Sequence, residues 1–122
     1  MHSSIGIDVE STEGFREFEL NDDELFLKKV YTDAELDYCF NKENPDQHLA
    51  GRFAAKEAMY KAVEQIPSIE RIDMTEIEIR RKKNSGPPSI YAPNMKHISS
   101  SLSISHTTEV AVAVVLLLER GV

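Results

Sequence analysis

Apolar and polar positions alternate strictly near the start of the chain, with Ile5, Ile7 and Val9 set against Gly6, Asp8 and Glu10. A period of two belongs to a half-buried strand, and it predicts one whose apolar side packs while the other side shows acid. Further on the pattern becomes helical. Asn21 to Val30 reads as a short helix capped by Asn21 or Asp22, with acids in its first turn and Lys28-Lys29 near its end, complementing the helix dipole. Thr32-x-x-Glu35 is the capping box of a second helix that runs to about Phe40. Asn44-Pro45 starts a third, since proline is tolerated in a first turn, and its pattern continues to about Ile66 before Pro67 stops it. On that helix Ala54, Ala55, Ala58 and Ala62 fall within roughly 100° of arc, a strip of small side chains that another element can approach closely.

Beyond Pro67 the period returns to two. Ile77 and Ile79 alternate with Glu76, Glu78 and Arg80, and Asn84-Ser85-Gly86-Pro87-Pro88 turns the chain into Ser89 to Ala92, a hairpin. Leu102 and Ile104 alternate with serines, a turn follows at His106 to Glu109, and the β-branched run Val110 to Leu118 reads as a strand buried on both faces. One early strand, helices in the first half and hairpins in the second indicate an α+β domain, an antiparallel sheet packed on one long helix and shorter helices. At 122 residues the whole chain, 1–122, is expected to form one domain.

Composition narrows the function classes. Hydrophobic residues make up 41% and charged residues 29%, and no apolar run reaches the roughly 18 residues needed to span a bilayer, so no membrane role is expected. No secretory leader is evident at Met1, and a cytoplasmic home is expected. Cys39 is the only cysteine and reads as a small buried residue. The net charge of −7 argues against nucleic-acid binding, which needs a basic surface. That acidity is local: residues 10 to 24 carry seven acids against Arg16 alone, while bases gather at Arg52, Lys56 and Lys61 and again at Arg80-Arg81-Lys82-Lys83. His2, His48 and His97 show no ligand spacing and read as surface residues.

The candidate chemistry lies in carboxylates. On a strand Asp8 and Glu10 point to one face, and Glu57 brings a third carboxylate from the long helix. A hard cation such as Mg²⁺ is held by a few carboxylates plus substrate phosphates, so these are the pieces of a divalent-metal site for a phosphorylated ligand. Plainer readings stand beside it. Asp8 and Glu10 also suit solvated positions on an edge strand, Glu57 and Lys61 an i, i+4 helix pair, and His106 a structural place in a tight turn.

Five segments in order, Ile5-Gly6-Ile7-Asp8-Val9, Thr32-Asp33-Ala34-Glu35-Leu36, Leu49-Ala50-Gly51-Arg52-Phe53-Ala54-Ala55-Lys56-Glu57-Ala58 with Lys61-Ala62, Ile77-Glu78-Ile79-Arg80 before Gly86-Pro87, and Ser103-Ile104-Ser105-His106-Thr107, span nearly the whole chain. Together they resemble the 4′-phosphopantetheinyl transferases, especially the small holo-acyl-carrier-protein synthases. The resemblance implies transfer of the phosphopantetheine arm of coenzyme A to a serine of an acyl carrier protein or related carrier domain, with Mg²⁺ as cofactor. It implies Asp8 and Glu57 as metal ligands and Glu10 as the third carboxylate found in the larger, two-domain members. Lys61 corresponds to the lysine that contacts the phosphates, and Glu57, or a water it orients, to the base for the serine proton. Arg52, His106 and Thr107 resemble residues that hold the 3′-phosphate; Ser105 joins them in the cofactor-binding set, and Lys56 fits either a phosphate contact or a carboxylate-orienting role. Asp8, Glu57 and Lys61 are thus the expected catalytic residues. A homotrimer is implied, with residues 101 to 107 near a neighbouring protomer's ligand.

Two departures qualify the resemblance. After Lys61-Ala62 the chain reads Val63-Glu64-Gln65-Ile66-Pro67, without the glycine that lets backbone approach a pyrophosphate. The acidic stretch 10 to 24 stands where the small family members have a basic first helix that docks acidic carriers, so either docking moves toward Lys28-Lys29 and the 80 to 83 run or the carrier is less acidic than usual. The alternative reading is a non-catalytic member of the same fold that binds a nucleotide or a protein.

Overall fold

Strand β1 (Ser3–Ser11) leads a computed structural model that describes residues 2–81 and 86–120. Helices α1 (Glu24–Val30), α2 (Asp33–Phe40) and α3 (Pro45–Val63) follow, then strands β2 (Glu78–Arg81), β3 (Pro88–Tyr91), β4 (Ile98–His106) and β5 (Val110–Glu119). Two sheets form, both antiparallel: β1-β5-β4, and the β2-β3 pair in which Glu78 faces Tyr91. The α+β expectation holds, with the antiparallel strands divided between the two sheets. Of the residues expected to turn the first hairpin, Asn84 and Ser85 lie outside the described residues, as do Lys82 and Lys83.

The capping box forms as its spacing predicts. Glu35 N–H donates to Thr32 Oγ1 at 3.2 Å and Thr32 N–H to Glu35 Oε1 at 2.8 Å, satisfying two otherwise unpaired helix-end donors. Helix α1 is shorter than its sequence pattern, because the Asp23 carboxylate accepts from the Glu19 amide at 2.8 Å and holds the preceding residues in a turn. Helix α3 starts at Pro45 as expected and ends at Val63, three residues early.

Helix α3 lies on one face of the β1-β5-β4 sheet. Ala54, Ala55, Ala58 and Ala62 are fully buried there against Ala113, Val115 and Leu117 of β5. The strip of alanines works as read, and Gly6 completes it: a Cβ on Gly6 would overlap the Ala58 carbonyl and stand 3.0 Å from the Ala62 nitrogen. A second core forms where α1 and α2 meet α3, around Leu27, Tyr31, Leu36 and Leu49, and the Tyr31 hydroxyl donates to the Leu49 carbonyl at 2.7 Å.

Period two in β1 is correct, but its faces are reversed. Ser4 and Gly6 are buried beneath α3 with Asp8 and Glu10 beside them, whereas Ile5, Ile7 and Val9 point outward at 59, 59 and 61% exposure. Burial on both faces of β5 is likewise overturned, since Val110, Leu116 and Leu118 are exposed. Alternation fixes which residues share a face; which face is covered depends on α3, whose alanine strip accepts a glycine more closely than an isoleucine. Cross-strand pairs Ile5–Leu116, Ile7–Val114 and Val9–Val112 make the outer face one apolar sheet surface, bordered by Ser101, Ser103 and Ser105 of β4. Among the described residues, no helix is long and apolar enough to cross a membrane.

Candidate functional site

Two clusters of polar side chains flank α3. The first lies in its seam with β1, where Gly6 allows the strand to bring Asp8 and Glu10 to the Glu57 side of the helix. Lys61, one turn after Glu57, donates to Asp8 Oδ1 at 3.2 Å and to the Ile7 carbonyl at 2.9 Å, so it reaches across to the strand rather than back along the helix. Asp8 Oδ2 is buried without a hydrogen-bond partner, an unsatisfied anionic acceptor. Partial burial, then a hydrogen bond with Asp8, then the charges of Asp8 and Glu57 push the Glu10 carboxyl up to about 7 against the opposing pull of Lys61. Burial and the Asp8 charge raise Glu57 as well.

The carboxylates of Asp8, Glu10 and Glu57 outnumber the single ammonium of Lys61 beside them, with Glu10 and Glu57 both raised, and form a hard-oxygen donor set of net negative charge. The orphaned Asp8 oxygen fits a divalent cation completed by substrate oxygens. Among the described residues no three His, Cys, Asp or Glu side chains are grouped to hold an ion by themselves, so the expected triad of Asp8, Glu10 and Glu57 is not preassembled.

The second cluster lines a cleft formed by α3, β2 and β4, with Gln47, His48, Gly51, Arg52, Arg81, Ile104 and His106 on its walls. Arg52 is only 6% exposed, its guanidinium stacks 3.9 Å above the Tyr38 ring, and its Nε has no partner. His48 meets His106 edge-on at 5.4 Å and Tyr38 at 5.6 Å. Burial first, then neighbouring His106 and the cations Arg52, Lys42 and Arg81, press the His48 imidazole down to about 4.

The expected ligand residues divide accordingly. Arg52 and His106 come together. Thr107 sits at the adjoining turn, where its Oγ1 accepts from the Glu109 and Val110 amides, both at 3.1 Å. Ser105 alternates to the outer face opposite Val112 and does not enter the cleft. Lys56 is corrected as a phosphate contact: it is fully buried, and its ammonium donates to Glu35 Oε1 at 2.7 Å, the Val30 carbonyl at 2.7 Å and the Met74 carbonyl at 2.9 Å. All three donors are spent. His48 is corrected as a surface residue, because it is half-buried in the cleft; its place four residues before Arg52 on one helix face was the available signal. Arg81 belongs to the cleft too, and nothing in its sequence context distinguishes it from its basic neighbours.

Five and nine residues separate Arg52 from Glu57 and Lys61, which turns them about 140° and 180° away around the helix. Within one chain, the two clusters therefore face opposite sides of α3.

The family model described as the 4′-phosphopantetheinyl transferase superfamily matches residues 4–115. A holo-[acyl-carrier-protein] synthase of Thermodesulfovibrio yellowstonii is 34% identical over 117 residues, covering 96% of this chain and 99% of the relative. One from Leptospira biflexa serovar Patoc is 38% identical over 120 residues, covering 93% and 94%. Among solved structures, the ACPS–CoA complex of Chronobacterium ammoniagenes aligns with a TM-score of 0.79 at 27% identity, covering 99% of this chain and all of that one. The holo-[acyl-carrier-protein] synthase of Helicobacter pylori in complex with coenzyme A aligns at 0.75 with 29% identity, covering 93% and 99%.

Proposed function

Because the chain belongs to the 4′-phosphopantetheinyl transferase superfamily, we propose that it is a holo-acyl-carrier-protein synthase: a one-domain, cytoplasmic enzyme that transfers 4′-phosphopantetheine from coenzyme A to a serine of an acyl carrier protein. Adenosine 3′,5′-bisphosphate is the other product. The observation that carries this reading is the seam cluster of Asp8, Glu10, Glu57 and Lys61, with its orphaned Asp8 oxygen.

Asp8, Glu57 and Glu10 would hold Mg²⁺, which when bound supplies positive charge to the diphosphate oxygens and the departing bisphosphate. The chain's own groups do the rest. Lys61, half-exposed and tied only to Asp8 and the Ile7 carbonyl, has the reach to turn its ammonium to a phosphate oxygen. Glu57 accepts the proton of the carrier serine as its oxygen attacks the β-phosphorus in line. Lys56 acts one step removed: by anchoring α3 to Glu35 it fixes the turn from which Glu57 projects.

A shared site follows from the opposed clusters. With Arg52 and Glu57 projecting from opposite sides of α3, coenzyme A would lie between the seam of one protomer and the arginine cleft of the next. The uncovered apolar face of the β1-β5-β4 sheet is the surface through which copies associate, and a homotrimer is the assembly proposed. Carrier docking falls to Lys28, Lys29 and Arg80, bases outside the acidic 10 to 24 stretch, with Lys28 and Arg80 exchanging their own partners Glu24 and Glu78 for carrier carboxylates.

The deciding experiment is mass spectrometry of an apo-carrier incubated with coenzyme A, Mg²⁺ and the protein. Gain of one phosphopantetheine on the carrier serine, abolished by Asp8→Ala or Glu57→Ala, is expected; an unmodified carrier leaves the non-catalytic alternative.

A further inference from the structure

Neither His48 nor Arg81 has a task in the reaction as proposed, yet both line the cleft that Arg52 closes. We infer that His48 and Arg81 complete, with Arg52 and His106, a pocket for a terminal phosphomonoester, and that they set this chain's preference for coenzyme A over its 3′-dephospho form. The inference rests on the coenzyme A reading above and adds to the pocket two residues that the motifs do not mark.

Three observations converge on it. First, the Nε of Arg52, on a side chain more than nine-tenths buried, points a charged donor at no acceptor, a costly arrangement unless an anion completes it. Second, the basic groups around this cleft come from different elements, Arg52 and His48 from α3, Arg81 from β2, His106 from β4 and Lys42 from the turn after α2, and among the described residues no carboxylate lines it. The cations among them, Arg52, Arg81 and Lys42, repel one another, and a dianion reverses that balance. Third, Tyr38 fixes the array. Arg52 stacks on its ring at 3.9 Å, Lys42 lies 4.6 Å from the ring centre, His48 packs on its edge, and Arg81 Nη1 approaches its hydroxyl at 3.5 Å. Planar guanidinium groups held in this way suit a tetrahedral phosphate.

The protonation of His48 gives a readout beyond affinity. The groups facing it are Tyr38, Lys42, Arg52, Arg81 and His106, and with burial they keep it neutral in the free protein. A phosphomonoester dianion opposes that field and favours a proton on the imidazole.

Calorimetric titration of the intact protein with coenzyme A and with 3′-dephospho-coenzyme A tests the inference, using His48→Gln and Arg81→Gln. Each substitution is expected to weaken coenzyme A about tenfold and to leave the dephospho form within about twofold. Repeating the coenzyme A titration near pH 6.5 in two buffers of different ionisation enthalpy should reveal proton uptake that His48→Gln removes. Equal losses for both ligands, or an unchanged preference in both variants, would overturn the pocket. No carrier or turnover is involved, so carrier modification can fail with this selectivity intact, and the transferase reading alone then falls.

Discussion

Gly6 and Ala58 touch backbone to backbone, β1 against α3, with no room between them for a side chain. This contact sets how far Asp8 stands from Glu57, because each is a short step along its element from the contact point. Gly6→Ala inserts a methyl group into the Ala58 carbonyl, and the strand must lift from the helix. Loss of about 1–3 kcal/mol of stability is expected from the overpacking, measured by urea unfolding. Activity should fall by far more than the unfolded fraction accounts for, since the seam cluster separates.

Glu35 is asked to do several things at once. It closes the capping box of α2, accepts from the Ile79 amide at 2.8 Å, and neutralises Lys56 with neither side chain exposed. Burial lowers the Lys56 ammonium and Glu35 opposes the shift. Breaking a buried pair on one side costs about 3–5 kcal/mol, so Lys56→Met should lose stability on that scale in denaturant unfolding. Glu35→Leu should cost more than Lys56→Met, because it also strands two backbone amides. A double variant only as unstable as Glu35→Leu alone would establish that the charges are coupled.

The proposed sharing of clefts makes a distinctive forecast for mixed assemblies. Glu57→Ala disables the seam and Arg52→Ala the arginine cleft, and each protein alone should be nearly inactive. Unfolded, mixed and refolded together, they should regain a fraction of wild-type turnover, since some clefts then combine one intact side from each chain. No recovery would place the whole site within one protomer. Ile7→Glu, on the apolar outer face, should give folded monomers by sedimentation with little turnover.

His48 contributes a pH dependence whose sign is fixed. Its imidazole falls from 6.5 to about 4 on folding, so between those values the unfolded chain binds a proton that the folded chain does not. Stability from this group is complete above 6.5 and declines as pH falls toward 4. Glu10, raised from 4.5 to about 7, acts in the opposite sense over its own window. The difference between wild type and His48→Gln isolates the histidine: in chemical denaturation the variant should show a flatter acid limb between about pH 4 and 6.5 and no change near pH 8.

Cys39 offers a simple check of packing. Burial pushes its thiol up to about 12, so a thiol-specific reagent should leave it untouched in the native protein at pH 8 and label it fully in denaturant.

Local signals were legible wherever neighbours in sequence decide the outcome. Thr32 and Glu35, Pro45 at the start of α3, and the alternation of β1 all formed as read, because caps and periodicity are short-range. What could not be read was which side of a strand would be covered. Ile5, Ile7 and Val9 would have been placed inside by any rule applied to one chain, and it is the close fit of Gly6 to an alanine strip that turns them out. Lys56 and Arg52 illustrate the same limit: two bases one helical turn apart, one sealed against Glu35 and the other open to a cleft, distinguished only by tertiary neighbours.

At the free border of β1, the Gln65 side-chain amide both donates to the Ile5 carbonyl at 2.8 Å and accepts from the Ile5 amide at 3.4 Å, while Lys61 covers the Ile7 carbonyl. A stray β-segment zipping onto that rim would first have to evict both side chains. Gln65 thus acts as a plug, guarding the rim of a hydrophobic strand against edge-to-edge pairing.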